Sequence, residues 1–341
     1  MAIEAILWDS SSGSDVFCRA CAHACRIPVG SAGRCRVRVN RDGVLFSLSS
    51  DSVVACNLDP VEKKPLYHFL PATTTFSVGT PGCNMTCSFC QNYSLSQGNV
   101  PAFSMSPQVF PENFALRAVA TAGEAGASSV SFTYNEPSVS PELVLAVAPK
   151  AKEAGFASVL VSNAYMSESA INALRHYINA ANFDLKSFRD AFYTDVCGAR
   201  LAPVLRTISR AVDFGWWVEL TTLLIPGHND SDAELSAIAR FIRENLGPQV
   251  PWHVSRFRPM HRMPSVPPTP VASLERACAI GVAEGLHFVY AGNVPGHEAE
   301  NTRCPACGRM VLQRRGYQVE AAFGGECPSC GTSISGVWRK T

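Results

Sequence analysis

The sequence predicts an α/β fold, a full or partial (β/α) TIM-like barrel with small cysteine-rich metal modules at both ends. From about residue 74, short apolar runs alternate with helical stretches, and most of the 14 cysteines fall into three groups. Strand–helix alternation implies parallel strands joined by right-handed crossovers, for which a doubly wound sheet is the alternative. We therefore predict an N-terminal module at 1–70, a barrel at 71–300 and a C-terminal module at 301–341.

Seven apolar runs have the length and composition of buried strands, and six stretches have helical periodicity. Several of these helical stretches end in glycine, as the position after a helix prefers, and Ser231 with Glu234 predicts a capping box. The turn at Asp42-Gly43 indicates a hairpin within the N-terminal module. The predicted strands are 74–79, 128–134, 157–163, 181–186, 216–225, 251–257 and 287–293, and the predicted helices are 111–126, 140–155, 167–180, 201–215, 231–247 and 272–285.

Polar side chains occur toward the ends of these predicted strands, where a core strand has no use for them. In a barrel of this kind the active site lies at the carboxyl ends of the strands. We expect the site to be built from these side chains: Asn135, Glu136, Asn163, Asp184, Lys186, Glu219, Thr221, His253, Arg256 and Asn293.

Charge and composition exclude some classes of function. The net charge is +1 and no aromatic-basic stripe is present, so we expect neither a nucleic-acid partner nor a membrane surface. We see no signal peptide and no apolar run long enough to span a bilayer. Close-spaced cysteines in such a chain bind metal more often than they form disulfides, so we expect a reducing, cytoplasmic location.

The central cysteine group, TPGCNMTCSFCQN, places Cys83, Cys87 and Cys90 in a C-x3-C-x2-C pattern after the first barrel strand. Three thiolates bind three irons of a [4Fe–4S] cube and leave the fourth open, which suits a small molecule that chelates it. S-adenosylmethionine (SAM) does so through its amino and carboxylate groups, and an electron from the cluster then releases a 5′-deoxyadenosyl radical. A three-cysteine zinc site completed by histidine, or free buried thiols, are the alternatives.

The pattern C-x3-C-x-Φ-C, with Phe89 before the last cysteine, resembles the radical SAM hallmark. The surrounding text, DPVEKKPLYHF, FTYNEP, VCGARLAPVLRTI, LIPGHND, PWHVSRFRP, VYAGNVPG and ENTRCPACG, resembles the radical SAM member of the AmmeMemoRadiSam system over nearly the whole chain. That family is similar to the enzymes that activate glycyl-radical enzymes. The resemblance implies an oxidoreductase that uses a [4Fe–4S] cluster and SAM, with a low-potential donor such as flavodoxin or ferredoxin and AmmeMemoRadiSam partner proteins.

The same resemblance implies roles for individual residues. Asn92 would hydrogen-bond SAM, Lys186 would neutralise its carboxylate, and Asp184 would accept from its ammonium or ribose. His253 would reach the ribose or adenine. Val161 stands where the activating enzymes have an acid. The residues expected to bind SAM are Asn92, Asn135, Glu136, Asn163, Asp184, Lys186 and His253, with Glu136 in the place of the Gly-Gly-Glu acid.

Two further cysteine groups flank the barrel. Cys304, Cys307, Cys327 and Cys330 form two C-x2-C knuckles typical of a zinc ribbon, although rubredoxin-like iron binds with the same geometry. The N-terminal group, in a C-x2-C-x3-C-x9-C pattern, could bind zinc or an auxiliary cluster. A structural metal site with four cysteine ligands is expected, with an electron-relay cluster and a ligand role for His23 as alternatives. Its ligands are Cys18, Cys21, Cys25 and Cys35.

Three functions compete at this point. The first is a stand-alone radical SAM enzyme that abstracts hydrogen from a substrate, and the second is an activase that makes a glycyl radical on a partner enzyme. The third, a nucleic-acid-binding zinc protein, is disfavoured by the neutral charge. Cys197 is expected to be either a packed thiol or a radical partner near the substrate.

Overall fold

The computed structural model of the protein describes residues 3–98, 110–320 and 323–339. In it the N-terminal module consists of small antiparallel sheets. One sheet has the order β1-β6-β5 and the other β2-β3-β4. The predicted hairpin is confirmed between β5 and β6. Asp42 and Gly43 both have the positive φ that the two central residues of a type I′ turn require. These strands are β1 (Ile3–Glu4), β2 (Trp8–Ser10), β3 (Val16–Cys18), β4 (Arg26–Ile27), β5 (Arg38–Arg41) and β6 (Val44–Ser47).

The main sheet has eight strands in the order β14-β13-β12-β11-β10-β9-β8-β7. The seven from β8 to β14 are parallel, in agreement with the predicted α/β fold. Within the described residues β14 and β7 are unpaired edges, so the barrel is partial. The strands are β7 (Ala55–Pro60), β8 (Thr74–Gly79), β9 (Ser129–Phe132), β10 (Ala157–Ser162), β11 (Ala180–Asp184), β12 (Trp217–Leu224), β13 (Trp252–Arg256) and β14 (Val289–Gly292).

Strand β7 is the element of this sheet that the sequence did not predict. It runs antiparallel to β8 at the edge, and its sequence ACNLDP contains no β-branched residue and ends in proline. Edge strands tolerate such composition because one side of the backbone needs no ladder partner. This part of the predicted N-terminal module therefore belongs to the sheet.

Helices follow the parallel strands as predicted, and glycines with positive φ end several of them, at Gly126, Gly155, Gly215 and Gly285. The helix predicted over 167–180 is shorter than expected, because β11 already begins at Ala180. The helices longer than five residues are Pro111–Glu124, Pro141–Glu153, Glu168–Leu174, Leu201–Asp213, Asp232–Phe241 and Val271–Ala283, and π-helical turns span Tyr193–Cys197 and Ile242–Leu246.

The C-terminal module lies at the amino ends of the barrel strands. Its buried cysteines pack in one apolar cluster with Phe288, which directly precedes β14, and with Tyr67. Backbone hydrogen bonds join His68 and Leu70 to Val337. The module contains β15 (Thr302–Arg303), β16 (Met310–Leu312), β17 (Arg314–Arg315) and β18 (Gln318–Val319).

The connector before β8 closes the amino end of the barrel from within. Val61, Leu66 and Phe69 are fully or almost fully buried and pack against Val159 and Ala180 of the sheet. The carboxyl ends of the strands are therefore left as the side where a site can form. No helix in the part of the chain that the structure describes is long and apolar enough to cross a membrane.

Candidate functional site

The three central cysteines lie in the loop that leaves the carboxyl end of β8. Asn135 fixes the start of this loop, since its amide accepts from the backbone N–H of Thr80 and donates to the Thr80 hydroxyl and the Gly82 carbonyl, at 2.9 Å each. Gly82 has a φ of +93°, and a Cβ there would lie 2.6 Å from Cγ1 of Val37. Only glycine fits this position without displacing the N-terminal module.

The π-helical turn Tyr193–Cys197 holds the middle of the loop. The carbonyl oxygen of Cys197 accepts from the Thr86 N–H at 2.8 Å, and that of Val196 accepts from the Ser88 N–H at 3.0 Å. The fully buried Cys197 thiol also hydrogen-bonds Cys87, which lowers the pKa of Cys87 although burial opposes the shift. Cys197 is therefore a neighbour of the predicted cluster rather than a remote packing residue.

The other two thiols have their own polar contacts. Asn163 Nδ2 lies 3.7 Å from Cys83 Sγ, and Cys90 Sγ lies 3.1 Å from the Ser96 hydroxyl. Burial raises the pKa of Cys83 well above its usual value, and the Glu136 carboxylate adds to that shift. A metal centre would favour the thiolate form that burial alone disfavours. Three convergent cysteines with hydrogen-bond donors at sulfur fit an iron–sulfur cluster.

Asp184 and Lys186 lie at the carboxyl end of β11, beside this loop. Their side chains form an ion pair with a Nζ–Oδ2 distance of 2.7 Å, and the Lys186 ammonium lies 5.6 Å from the centre of the Phe89 ring. Burial lowers the pKa of Lys186, but Asp184, Cys87 and Cys197 outweigh it and hold the pKa well above its ordinary value. A fixed positive charge therefore faces the cysteine loop.

Glu136 is brought close to the site, but its carboxylate is already hydrogen-bonded. It accepts from the Ser138 and Asn163 N–H groups and from the Ser162 hydroxyl at 2.8–3.0 Å. Burial raises its pKa in spite of these bonds. The side chain thus orients Asn163, whose amide donates to Asn84 at 2.8 Å within the cysteine loop.

Asn92 follows the last loop cysteine and is exposed. Its amide donates to the Tyr134 carbonyl at 2.7 Å, across to the loop after β9. Tyr134 has a φ of +73°, a strained conformation for a residue with a bulky side chain. Asn92 therefore joins two loops at the edge of the site.

His253 does not lie at the site, in contrast to the prediction. It is the second residue of β13 and 1% exposed, and its Nε2 hydrogen-bonds Glu219 at 2.7 Å. Its ring contacts Tyr67 and Tyr290, with centroids 4.7 and 5.2 Å away. These partners lie toward the amino end of the barrel, and both tyrosines pack in the apolar cluster of the C-terminal cysteines, so His253 lies away from the cysteine loop.

The remaining strand-end residues also have internal partners. Glu219 accepts from the backbone N–H groups of Tyr67 and His68 at 2.9 and 2.7 Å, so it anchors the connector. Glu219 is the third residue of β12 and His253 the second of β13, so both lie nearer the amino than the carboxyl end of their strands. The other three donate hydrogen bonds within the protein: Thr221 to Asn182, Arg256 to Thr269 and Asn293 to Arg256.

A buried charged group that the sequence did not single out lies under Tyr134. Lys64 is 1% exposed, and its ammonium binds Asp59 at 2.6 Å and lies 4.8 Å from the centre of the Tyr134 ring. The Tyr134 hydroxyl donates to the same Asp59 carboxylate at 2.5 Å. Asp59 and Lys64 belong to the motif DPVEKK, and Tyr134 belongs to FTYNEP. Their contact could be predicted from the sequence only if the pairing of β7 with β8 were known.

The C-terminal cysteines have the spacing of a single-ion site. The sulfurs of Cys304 and Cys330 lie 3.6 Å apart, as do those of Cys307 and Cys327, and all four lie within 4.8 Å of one another. Four thiolates at about 2.3 Å from one tetrahedral ion would be about 3.8 Å apart. The group fits zinc or a single iron.

The N-terminal cysteines also converge. Cys18, Cys21 and Cys35 are buried and Cys25 is half-buried. Burial raises the pKa of Cys21 well above its usual value, and the charges of the other three thiolates contribute. The module contacts the central loop, since His23 Nε2 lies 2.8 Å from the Asn84 carbonyl oxygen.

A model of the radical SAM superfamily matches residues 77–239. An uncharacterized protein of Methanocaldococcus jannaschii is 39% identical over 314 residues, 91% of each chain. The isethionate sulfite-lyase activating enzyme of Nitratidesulfovibrio vulgaris is 30% identical over 112 residues, 32% of this chain and 36% of that enzyme.

A solved structure gives the same fold. Streptococcus suis SuiB, bound to its precursor peptide SuiA, superposes with a TM-score of 0.50 at 16% identity, over 68% of this chain and 51% of that chain. At this level of identity the likeness concerns the fold alone.

Proposed function

The chain belongs to the radical SAM superfamily, and on that premise we propose that Cys83, Cys87 and Cys90 hold a [4Fe–4S] cluster with one open iron. The superfamily implies an enzyme that uses such a cluster and SAM. The observation that carries the proposal is the convergence of the three thiols at the carboxyl end of β8 with the Lys186 ammonium beside them. When bound, the reduced cluster supplies the electron that splits SAM into methionine and a 5′-deoxyadenosyl radical, which abstracts hydrogen from a substrate.

The chain's own residues would hold SAM against that cluster. Lys186 would bind the carboxylate of SAM, and Asp184, 38% exposed at its side chain, would accept from the ammonium or the ribose. Asn163 and Asn92 would add hydrogen bonds at the edges of the loop. Glu136 and Asn135 would act through these neighbours, since their polar atoms already bind the loop itself.

The finer family assignment is also a proposal. We infer a stand-alone AmmeMemoRadiSam-type enzyme, with partner proteins of that system, because the motifs that carry the resemblance run through the whole chain. Glycyl-radical activation of a partner enzyme is the second candidate, and the 112-residue match to an activating enzyme favours it. A partner with a radical-forming glycine loop would decide for the second.

A basic groove beside the cysteine loop supports a protein electron donor. The groove has a volume of about 430 Å³ and is lined by Arg34, Arg36, His261 and Arg262. Flavodoxins and ferredoxins would dock there if their surfaces are acidic, since complementary charge steers encounter. Weaker turnover at high salt with the protein donor, but not with dithionite, would support this site.

The C-terminal quartet would bind structural zinc, and the N-terminal quartet would bind a metal that orders its module. Metal sites built from cysteine thiolates require reduced thiols, so we propose a reducing compartment such as the cytoplasm.

Substitution of Cys87 by alanine tests the proposed function. We expect anaerobically reconstituted wild-type protein to form 5′-deoxyadenosine from SAM with a low-potential reductant. The variant should lose this cleavage and the part of the absorption at about 400 nm that comes from the cluster in the loop. Cys278→Ala is the matched control, because Cys278 lies on the helix Val271–Ala283, away from the loop. Cleavage retained by the Cys87 variant would contradict the assignment of the cluster.

A further inference from the structure

We propose that Cys18, Cys21, Cys25 and Cys35 hold a second iron–sulfur cluster that passes electrons to the cluster at the loop after β8. This inference rests on the proposed function. It assigns the N-terminal group to electron transfer rather than to a structural zinc ion.

The spacing of the sulfur atoms separates the cysteine groups into two kinds. Among the residues that the structure describes, only the C-terminal quartet brings three or more ligand atoms within 4.8 Å of one another. The N-terminal quartet does not, and neither do the three loop cysteines assigned to the [4Fe–4S] cluster. In a cluster each thiolate binds its own iron, so the sulfurs lie farther apart than around one ion. The N-terminal group therefore resembles the cluster site and not the zinc-like site.

The N-terminal group is placed directly against the central loop. A Cβ on Gly82, the residue before Cys83, would lie 3.2 Å from the carbonyl oxygen of Cys35. Since consecutive Cα atoms are about 3.8 Å apart, this contact brings Cys35 of the N-terminal group and Cys83 of the loop to a separation on the order of 10 Å. His23, between Cys21 and Cys25, also contacts the Asn84 carbonyl in the loop. A structural ion has no need of this proximity, whereas an electron donor to the loop does.

The N-terminal group is also reached from the surface. A cavity of about 400 Å³ is lined by Cys25 and Gly33 together with His23 and Arg34. Arg34 also lines the basic groove described above. One electron would enter here from a reduced flavodoxin- or ferredoxin-type protein and leave to the loop cluster, and no bond forms or breaks in the N-terminal group.

Metal content of the full-length wild-type protein is the first test and requires no variant. After anaerobic reconstitution we expect about eight irons and eight sulfides per chain, four for each cluster, and about one zinc or single iron in the C-terminal quartet. About four irons with two zincs per chain would overturn the second cluster while leaving the proposed function intact.

Two reciprocal variants then assign the irons. Cys18→Ala/Cys21→Ala should lose about four irons and keep SAM cleavage driven by dithionite, and Cys87→Ala should lose the other four and all cleavage. If Cys87→Ala removes all iron, the N-terminal cluster is contradicted. If neither variant nor the wild type binds iron, the proposed function itself fails.

The electron-transfer role has its own measurement. In Cys18→Ala/Cys21→Ala, SAM cleavage driven by reduced flavodoxin should be lost while cleavage driven by dithionite is retained. Full activity of this variant with both reductants would overturn the electron-transfer role.

Discussion

The positively charged Lys186 ammonium lies beside the Asp184 carboxylate and the thiols of Cys87 and Cys197. The Lys186 side chain is only 12% exposed, so the ion pair is partly shielded from solvent and salt. The sequence DLK predicted that both charged side chains point to the same side. They do meet in an ion pair, although Lys186 lies two residues beyond the end of β11. The contact to Cys197 depends on the π-helical turn at Tyr193–Cys197, which no local sequence pattern predicts.

Lys186→Met should weaken SAM binding without removing the cluster. A charge-assisted hydrogen bond contributes about 1.5–3 kcal/mol, so we expect the Kd for SAM to rise about 10- to 100-fold. Equilibrium binding of SAM to the anaerobic protein measures this, with cluster absorption as the check on loading. Lys150→Met, which removes an exposed lysine paired with Glu153, should leave the Kd unchanged. An unchanged Kd in Lys186→Met would exclude its carboxylate-binding role.

His253 and Glu136 show why single residues were harder to place than strands. A polar residue in a strand can bind a ligand or another buried side chain, and His253 binds Glu219 toward the amino ends of their strands. Glu136 lies at the predicted end but is engaged by three donors of the protein. Hydrogen-bond satisfaction of a buried group depends on elements distant in sequence.

At the scale of elements, the sequence predicted the seven parallel strands because short segments with apolar residues alternate along the chain with longer segments of helical periodicity. The capping interaction shows a limit. Ser231 accepts from the Glu234 N–H at 3.4 Å, as predicted, but the Glu234 carboxylate binds the Phe188 N–H at 2.7 Å instead of returning to the cap. A contact with a residue distant in sequence thus replaces the second hydrogen bond of the predicted capping box.

The contact between the N-terminal module and the cysteine loop is tested by Gly82→Ala. The new methyl group would meet Val37 at 2.6 Å and force a positive φ on alanine, so we expect a loss of stability of about 2–4 kcal/mol by denaturant unfolding. Gly155→Ala has a φ of +77° but open space around the Cβ, so it should cost only the backbone strain, about 1 kcal/mol.

Adding Val37→Ala to Gly82→Ala should restore part of the lost stability, because it removes the clashing methyl groups. If Gly82→Ala costs no more than Gly155→Ala, the close packing of module on loop is wrong.

At the scale of the whole molecule, the two flanking modules occupy opposite ends of the barrel. The N-terminal module meets the loop at the carboxyl ends, and the C-terminal module caps the amino ends through His68, Tyr67 and Arg314. The sequence identified both modules from their cysteine spacing. It could not place them, because their docking depends on contacts such as that of Arg314 with the Tyr67 carbonyl at 2.7 Å, across most of the chain.

The docking of the C-terminal module should depend on pH through His68. Burial, partly offset by Glu219, lowers the pKa of His68 to about 4, against 6.5 ordinarily. Between these values the unfolded state binds a proton that the folded state does not, so stability falls as the pH drops from about 6.5 to about 4. Its contribution to the difference in unfolding free energy between pH 7 and pH 5 is about 2 kcal/mol.

His68→Gln should flatten that pH dependence, whereas His176→Gln, at an exposed position, should not. Urea unfolding at both pH values measures the difference. The same pH slope in wild type and His68→Gln would show that His68 is not the group responsible.

The central claim is that the loop after β8 leaves one iron of its cluster open to SAM, and the electron paramagnetic resonance spectrum of the reduced protein tests it most directly. With Cys83, Cys87 and Cys90 as its protein ligands, this cluster should change its signal when SAM is added, because SAM binds the iron itself. Any signal from the N-terminal group should stay as it was. A spectrum unaltered by saturating SAM would contradict the account.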